Sequence, residues 1–298
     1  MIYLLTGENT FATERQLSKL VEEFEGTVER VDGTELTIEK LPDLLMGMTL
    51  FSNKRLIVIK HAAENKSLWN VLGEWLEKSS DNDIVLVERA PDKRTKTYKW
   101  LEKNAKVIVS KELQAHEAVH WLKDEAKNKG LTLDQATAQY FVDYVGVDQW
   151  RLSSELDKLV LTQQPPTREL IQDIVEPTPQ ATSFELLDAA FAGRHERVEQ
   201  LLETVARVED PYMFFGLMAG QVFAIAAVKS GQGRRSDEVA RDTGVHPYVA
   251  RKVAPLAQRL SQAELQRLVA GLAELDAHMK LRSVDPWVQI RSFLKTVH

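Results

Sequence analysis

Few residues in this chain have both the type and the spacing that chemistry demands. Thr6-Gly7-Glu8-Asn9-Thr10-Phe11-Ala12-Thr13 lies where an apolar, strand-like run passes into a helical pattern, the place of a phosphate-binding loop. A working loop of that kind reads GxxxxGK[ST]. Its backbone N–H groups cradle phosphate, its lysine reaches the β and γ oxygens, and its hydroxyl ligates Mg²⁺. Here one glycine remains, no lysine follows, and Glu8 adds negative charge where phosphate would sit. Glu88 closes another strand-like run, but a lone acid is a weak sign of a nucleotide or metal site. No GxSxG or GxGxxG occurs, and with 0 cysteines the chain has no disulfide, thiolate nucleophile or cysteine-ligated zinc. Among the 7 histidines only His116 and His120 stand at i,i+4, and they read as a solvated helix face. The expectation is a binding or mechanical role, without ATP hydrolysis and without a cofactor or metal.

One segment stands out for apolar rather than catalytic character: Leu44-Leu45-Met46-Gly47-Met48-Thr49-Leu50-Phe51-Ser52-Asn53-Lys54-Arg55. Gly47 should end a helix, which leaves Met48, Leu50 and Phe51 in a short connection before the next strand. Large apolar residues on a connection have two readings. They pack back onto the sheet, or they form a wedge for a partner's hydrophobic pocket.

The elements that must position these residues are legible from periodicity. Short apolar runs at Ile2–Leu5, Val28–Val31, Leu56–Lys60, Ile84–Glu88 and Val107–Ser110 alternate with helical stretches near Thr10–Phe24, Ile38–Gly47, Ser67–Lys78 and Thr95–Asn104. Unalternated runs suit strands buried on both faces of a parallel sheet, and strand–helix alternation implies a layered α/β domain over residues 1–112. From there the period is helical. Ala118–Lys129, Asp134–Tyr144, Gln149–Leu161 and a helix opened by Thr167 form a small helical lid over 113–178. Pro177 and Pro179 mark a linker. A third, all-helical domain over 179–298 opens at Thr182-Ser183-Phe184-Glu185, which has capping-box spacing, with breaks near Gly193–Arg194, Asp210-Pro211, Gly231–Gly233 and Ser283–Pro286.

Net charge is −6, so tight autonomous binding to nucleic acid is not expected. No apolar run is read as approaching the roughly 20 residues that span a bilayer, and Met1–Gly7 lacks the marks of a signal peptide. The expected address is the cytoplasm, with no membrane partner. An α/β domain followed by a helical lid is the layout of an AAA+-like protein.

The ordered motifs resemble those of bacterial DNA polymerase III delta subunits. Gly7-Glu8-Asn9 is similar to the family's opening after the first strand. Thr49-Leu50-Phe51-Ser52-Asn53-Lys54-Arg55-Leu56 is similar to its segment in which a Leu-Phe pair precedes a basic–apolar strand. Glu155-Leu156-Asp157-Lys158-Leu159, Phe184-Glu185-Leu186-Leu187-Asp188-Ala189 and Asp276…Lys280 resemble its later motifs. The resemblance implies an AAA+-like parallel-sheet domain with a degenerate nucleotide site, a helical lid and a helical C-terminal collar that joins subunits. It implies that Leu50 and Phe51, with Met48 and Thr49 beside them, enter the pocket of the beta sliding clamp and open the ring for primed DNA. Implied partners are the ATP-hydrolysing tau/gamma subunits and a delta-prime subunit. Such a chain has no active site of its own, though as a holoenzyme component it falls under DNA-directed DNA polymerase. The alternative is a helix-turn-helix DNA-binding protein, carried by Ser236–Val253 with a turn at Gly244 and Arg251 and Lys252 toward a groove. In the basic run Arg89–Lys106, Trp100 reads as buried and the lysines as solvated.

Overall fold

All five apolar runs become strands, and every pairing among them is parallel: β1 (Ile2–Thr6), β2 (Thr27–Asp32), β3 (Arg55–Lys60), β4 (Asp83–Glu88) and β5 (Lys106–Val109), in the order β2-β3-β4-β1-β5. They belong to a computed structural model that describes residues 1–47, 54–79, 82–281 and 284–297 and divides into two compact units, residues 1–171 and 172–298. The central strands explain the pattern: Leu56, Ile57, Val58 and Ile59 are 0–2% exposed. Alternate residues serve opposite faces. Leu4, Ile57, Ile59, Ile84 and Leu86 meet α2 (Leu41–Met46), α3 (Lys66–Glu77) and α4 (Lys96–Asn104) through Leu45, Leu68, Trp69, Leu72 and Leu101. Leu5, Leu56, Val58, Val85 and Val87 meet Leu17 of α1 (Thr10–Glu22). The outer strands β2 and β5 carry charged residues, which discourages pairing with other chains.

The helix expected over Ile38–Gly47 is split. Pro42 has no N–H to bond back one turn, so a 3₁₀ turn at Ile38–Lys40 precedes a short α-helix that begins at Leu41. Beyond the sheet, α5 (Ala115–Asn128), α6 (Gln135–Val145) and α7 (Gln149–Thr162) pack on one another around Leu122, Phe141, Leu152 and Leu156. Asp134 and Asp148 cap α6 and α7, and Gly146 ends α6 at φ 93°. Thr167 opens α8 (Arg168–Ile174), accepting a hydrogen bond from the Leu170 N–H at 3.2 Å.

Residues 172–298 are helical throughout, in α9 (Pro179–Phe191), α10 (His195–Val205), α11 (Pro211–Ser230), α12 (Ser236–Thr243), α13 (Pro247–Arg259), α14 (Gln262–Leu281) and α15 (Pro286–Leu294). Two sequence expectations fail here. The first helix starts a turn earlier than Thr182. Pro179 is already preset at its first position, and Thr178 accepts from the Ala181 N–H at 3.2 Å, which buries Thr182 and Ser183 inside the helix. The second concerns α11, whose 20 residues are long and apolar enough to cross a bilayer. Its run is masked in the sequence because Gly216, Gly220 and Gln221 interrupt it. In the fold it packs against α9, α12, α13, α14 and α15, burying Phe214, Met218, Val222 and Ile225, while Met213 and Phe223 stay exposed. Buried Gln221 donates to the Ser183 hydroxyl and to the Gln180 carbonyl, fixing its register on α9.

Two measurements follow from this packing. Asp210 accepts from the N–H groups of both Tyr212 and Met213 at 3.0 Å. Asp210→Ala should cost about 1 kcal/mol in denaturant unfolding. Glu88, at the end of β4, is 3% exposed and accepts from the Ala63 N–H at 3.1 Å, while its second oxygen has no partner. Burial pushes its carboxyl up from 4.5 to about 7. Between those two values the folded chain keeps a proton that the unfolded chain has lost, so this group lowers stability as pH rises through the window. Glu88→Gln should remove that slope and leave the variant more stable than the parent above the window, by up to about 3 kcal/mol. Parallel unfolding curves for the two chains from acid to alkaline pH would count against it.

Candidate functional site

The loop after β1 is where a nucleotide would be held, and four of its backbone donors are engaged within the protein. The Gly7 N–H bonds to the Arg89 carbonyl at 3.1 Å and the Asn9 N–H to the Ser110 carbonyl at 3.2 Å. The Ala12 N–H goes to the Asn9 side chain at 3.0 Å and the Thr13 N–H to the Asn9 carbonyl at 3.1 Å. A phosphate cradle needs such groups directed at the ligand. Gly7 is required for a different reason: at φ 125° any Cβ would lie 2.0 Å from the Ser110 carbonyl oxygen. This glycine lets two loops touch.

Side chains from α1 then tie the loop to the helices that follow the sheet. Asn9 donates to the Gln149 side chain at 2.6 Å and to the Lys111 carbonyl at 3.0 Å. Trp150 donates its indole N–H to the Thr10 hydroxyl at 2.9 Å. Phe11, 6% exposed, meets Trp121 and Trp150 edge to face, with centroids 5.4 and 5.0 Å away. The Arg15 guanidinium lies 4.7 Å over the Phe11 ring and makes a two-pronged pair with Glu125 of α5. That carboxylate is held below its ordinary range, first by the hydrogen bonds from Arg15 and then by the charges of Arg15 and Lys129. By sequence, Trp121 and Trp150 read as packing residues. Trp150 does pack, yet remains half exposed because its other edge bonds Thr10. The Arg15–Glu125 pair has no sequence signature, since 110 residues separate its members and no local pattern marks it.

Other candidates fall differently. His116-Glu117-Ala118-Val119-His120 does spell HExxH, a zinc-helix pattern that reading the two histidines as a solvated face leaves out. Both imidazoles lie exposed on α5, and Glu117 is engaged as a helix cap, accepting from the Gln114 N–H at 2.7 Å. Among the described residues no three such groups converge as metal ligands. Glu88 is committed to the Ala63 N–H. The helix-turn-helix geometry does form, with Gly244 left-handed between α12 and α13. Its charge is internally matched, however. Arg251 pairs with Asp237 at 3.3 Å, and Arg234 with Asp242 and Glu238. In the basic run, Trp100 is half-buried and Lys93, Lys96, Lys99 and Lys103 are exposed.

Met48, Thr49, Leu50 and Phe51 lie outside the described residues. Their surroundings are visible: α2 buries Leu44 and Leu45, Gly47 follows it, and β3 starts at Arg55. The Arg55 guanidinium bonds back to the Gly47 carbonyl at 2.6 Å and to Glu29 of β2.

Comparison with known proteins gives this architecture relatives. Residues 3–111 match the family model "DNA polymerase III, delta subunit", and residues 180–297 match "DNA polymerase III delta subunit, C-terminal domain". The DNA polymerase III subunit delta of Bacillus subtilis (strain 168) is 25% identical over 209 residues, covering 68% of this chain. That alignment spans 60% of the relative's length. Among solved structures, the Bacillus subtilis DNA clamp loader delta protein superposes with a TM-score of 0.56 at 20% identity, covering 99% of this chain and 94% of its own. That likeness speaks to the fold, a parallel-sheet unit followed by helices, as expected from strand–helix alternation. With both of its models matched in order along the sequence, the chain belongs to the DNA polymerase III delta subunit family.

Proposed function

We propose that this chain is the clamp-opening subunit of a DNA polymerase III clamp loader. The single observation that carries the proposal is family membership over both the sheet unit and the C-terminal helices. In this reading Leu50 and Phe51, flanked by Met48 and Thr49, enter an apolar pocket on the beta sliding clamp and strain one ring interface until it parts. The ring then admits primed DNA. Residues 1–112 carry the wedge, 113–178 act as lid, and 179–298 join the tau/gamma and delta-prime subunits in a collar. The work is cytoplasmic and involves no membrane.

The chain acts without hydrolysing ATP. Supporting this, the N–H groups of Gly7, Asn9, Ala12 and Thr13 are all bonded within the protein, and Phe11 is packed between two indoles. No lysine stands in the loop to reach a phosphate. Any classification under DNA-directed DNA polymerase therefore comes from the assembly and not from an active site here.

The wedge energetics are sufficient. Burying one Leu or Phe side chain contributes roughly 1.5–3 kcal/mol. Removing both should cost about 3–6 kcal/mol, or on the order of 10²–10⁴ in affinity. Leu50→Ala with Phe51→Ala should abolish measurable binding to the cognate clamp in calorimetry or surface plasmon resonance, with unfolding unchanged. A folded double variant that binds as the parent does would sink the assignment. Saturable ATP turnover by the pure chain would sink the nucleotide reading alone.

A further inference from the structure

The strand that follows the proposed wedge begins with a residue that sheet stability does not call for. Leu56 to Ile59 of β3 are aliphatic and sealed, yet Arg55 beside them is only 8% exposed. Burying a guanidinium is costly unless it is well paired, and replacing a buried ion pair with apolar residues of similar volume is often neutral or stabilising. Arg55 is not even fully satisfied, because its Nε has no partner. Its two terminal nitrogens show where the cost goes. Nη1 donates to the Gly47 carbonyl at 2.6 Å, and Nη2 pairs with Glu29 of β2. Gly47 is the last residue before 48–53, and Arg55 is the second residue after them. One side chain thus joins both ends of that segment and fastens them to the neighbouring strand.

Both ends are secured by further contacts. The Gly47 N–H bonds to the Asp43 carbonyl at 3.1 Å, and a Cβ at Gly47 would meet that oxygen at 2.2 Å, so a larger residue would displace the carbonyl that Arg55 holds. On the other side, the Lys54 carbonyl accepts from the Thr27 N–H at 3.2 Å.

We infer that Arg55 is a positioning residue for clamp binding: it closes the base of residues 48–53 in the folded chain, so that the entropy of bringing those ends together is not charged to association. The inference rests on the proposed clamp-opening function. It assigns Arg55 no contact with the clamp.

The test compares five full-length chains for unfolding and for binding to the cognate sliding clamp. They are the parent, Leu50→Ala/Phe51→Ala, Arg55→Met, Gly47→Ala and Val58→Ala. Arg55→Met leaves Glu29 and the Gly47 carbonyl without their partner, so it should lose some stability but no more than Val58→Ala, and yet bind roughly tenfold more weakly than the parent. Gly47→Ala, which breaks the same clasp away from the sheet core, should weaken binding in the same direction. Val58→Ala removes a fully buried group from the same strand and should lower stability while leaving affinity alone. A purely structural Arg55 would lower stability and leave affinity at the parent's value, as Val58→Ala does. If Arg55→Met and Gly47→Ala bind like the parent while the double wedge variant does not, the positioning role is wrong and the clamp reading survives. The positioning role is equally wrong if Val58→Ala weakens binding as much as Arg55→Met. If the parent does not bind, or the double wedge variant binds equally well, both readings fall together.

Discussion

A parallel sheet has to be covered on both faces, and the helix that meets Leu5, Val58 and Val85 is α1. Much else in the first unit depends on that helix. It starts at Asn9, whose side chain caps it, reaches Gln149 and bonds Lys111. Its first turn offers Phe11 to two tryptophans, and its second offers Arg15 to a carboxylate that is 4% exposed. The helix that covers the sheet therefore also docks α5 and α7. Glu125 is buried at the far end of this arrangement because Arg15 and Lys129 neutralise it. Taking Arg15 away would leave a buried charge with one distant partner, which is why such pairs are costly to break even where they add little net stability.

This dependence gives the loop after β1 a positive description. A nucleotide site leaves its N–H groups and the space beside them to the ligand, and part of the resulting stability is supplied only when the ligand binds. In this chain the same loop bonds to the ends of β4 and β5, and aromatic packing holds the helices beside it. Where GxxxxGK[ST] would have its second glycine and lysine this chain has Ala12 and Thr13, whose N–H groups bond to Asn9, and the Asn9 side chain makes further internal hydrogen bonds.

Sequence carries the local part of this picture well, for physical reasons. Four of the five strands are visible because each reads as a continuous apolar run, most clearly where it is buried on both faces, while β2 shows only Val28 and Val31 on either side of Glu29 and Arg30. Caps at Asp134, Asp148 and Asp210 and the stop at Gly146 are visible because their determinants lie within a few residues of the helix end. The start of α9 is misplaced because two signals compete: Thr182…Glu185 has the spacing of a capping box, but Thr178-Pro179 caps and presets a helix one turn earlier. Pairings such as Arg15–Glu125 and Asn9–Gln149 span more than 100 residues and leave no local trace. Arg55 is intermediate. A basic residue at the head of an aliphatic strand is there to be read, but its acceptor is a backbone carbonyl, which no side-chain pattern reports.

A subunit that works by binding still needs its working surface specified. A clamp-opening subunit would act through a few apolar side chains, and apolar burial is non-directional. Direction must then come from the polar scaffold around them. In the proposed reading Glu29, Gly47 and Arg55 would supply it through hydrogen bonds whose geometry is narrow, with one buried guanidinium nitrogen left unpaired. An aliphatic residue in place of Arg55 would continue the apolar run of the strand, but it would unpair Glu29 and the Gly47 carbonyl and take away the side chain that joins residues 47 and 55. Sheet packing alone does not account for Arg55, and in the proposed reading its role lies at the ends of the segment it brackets.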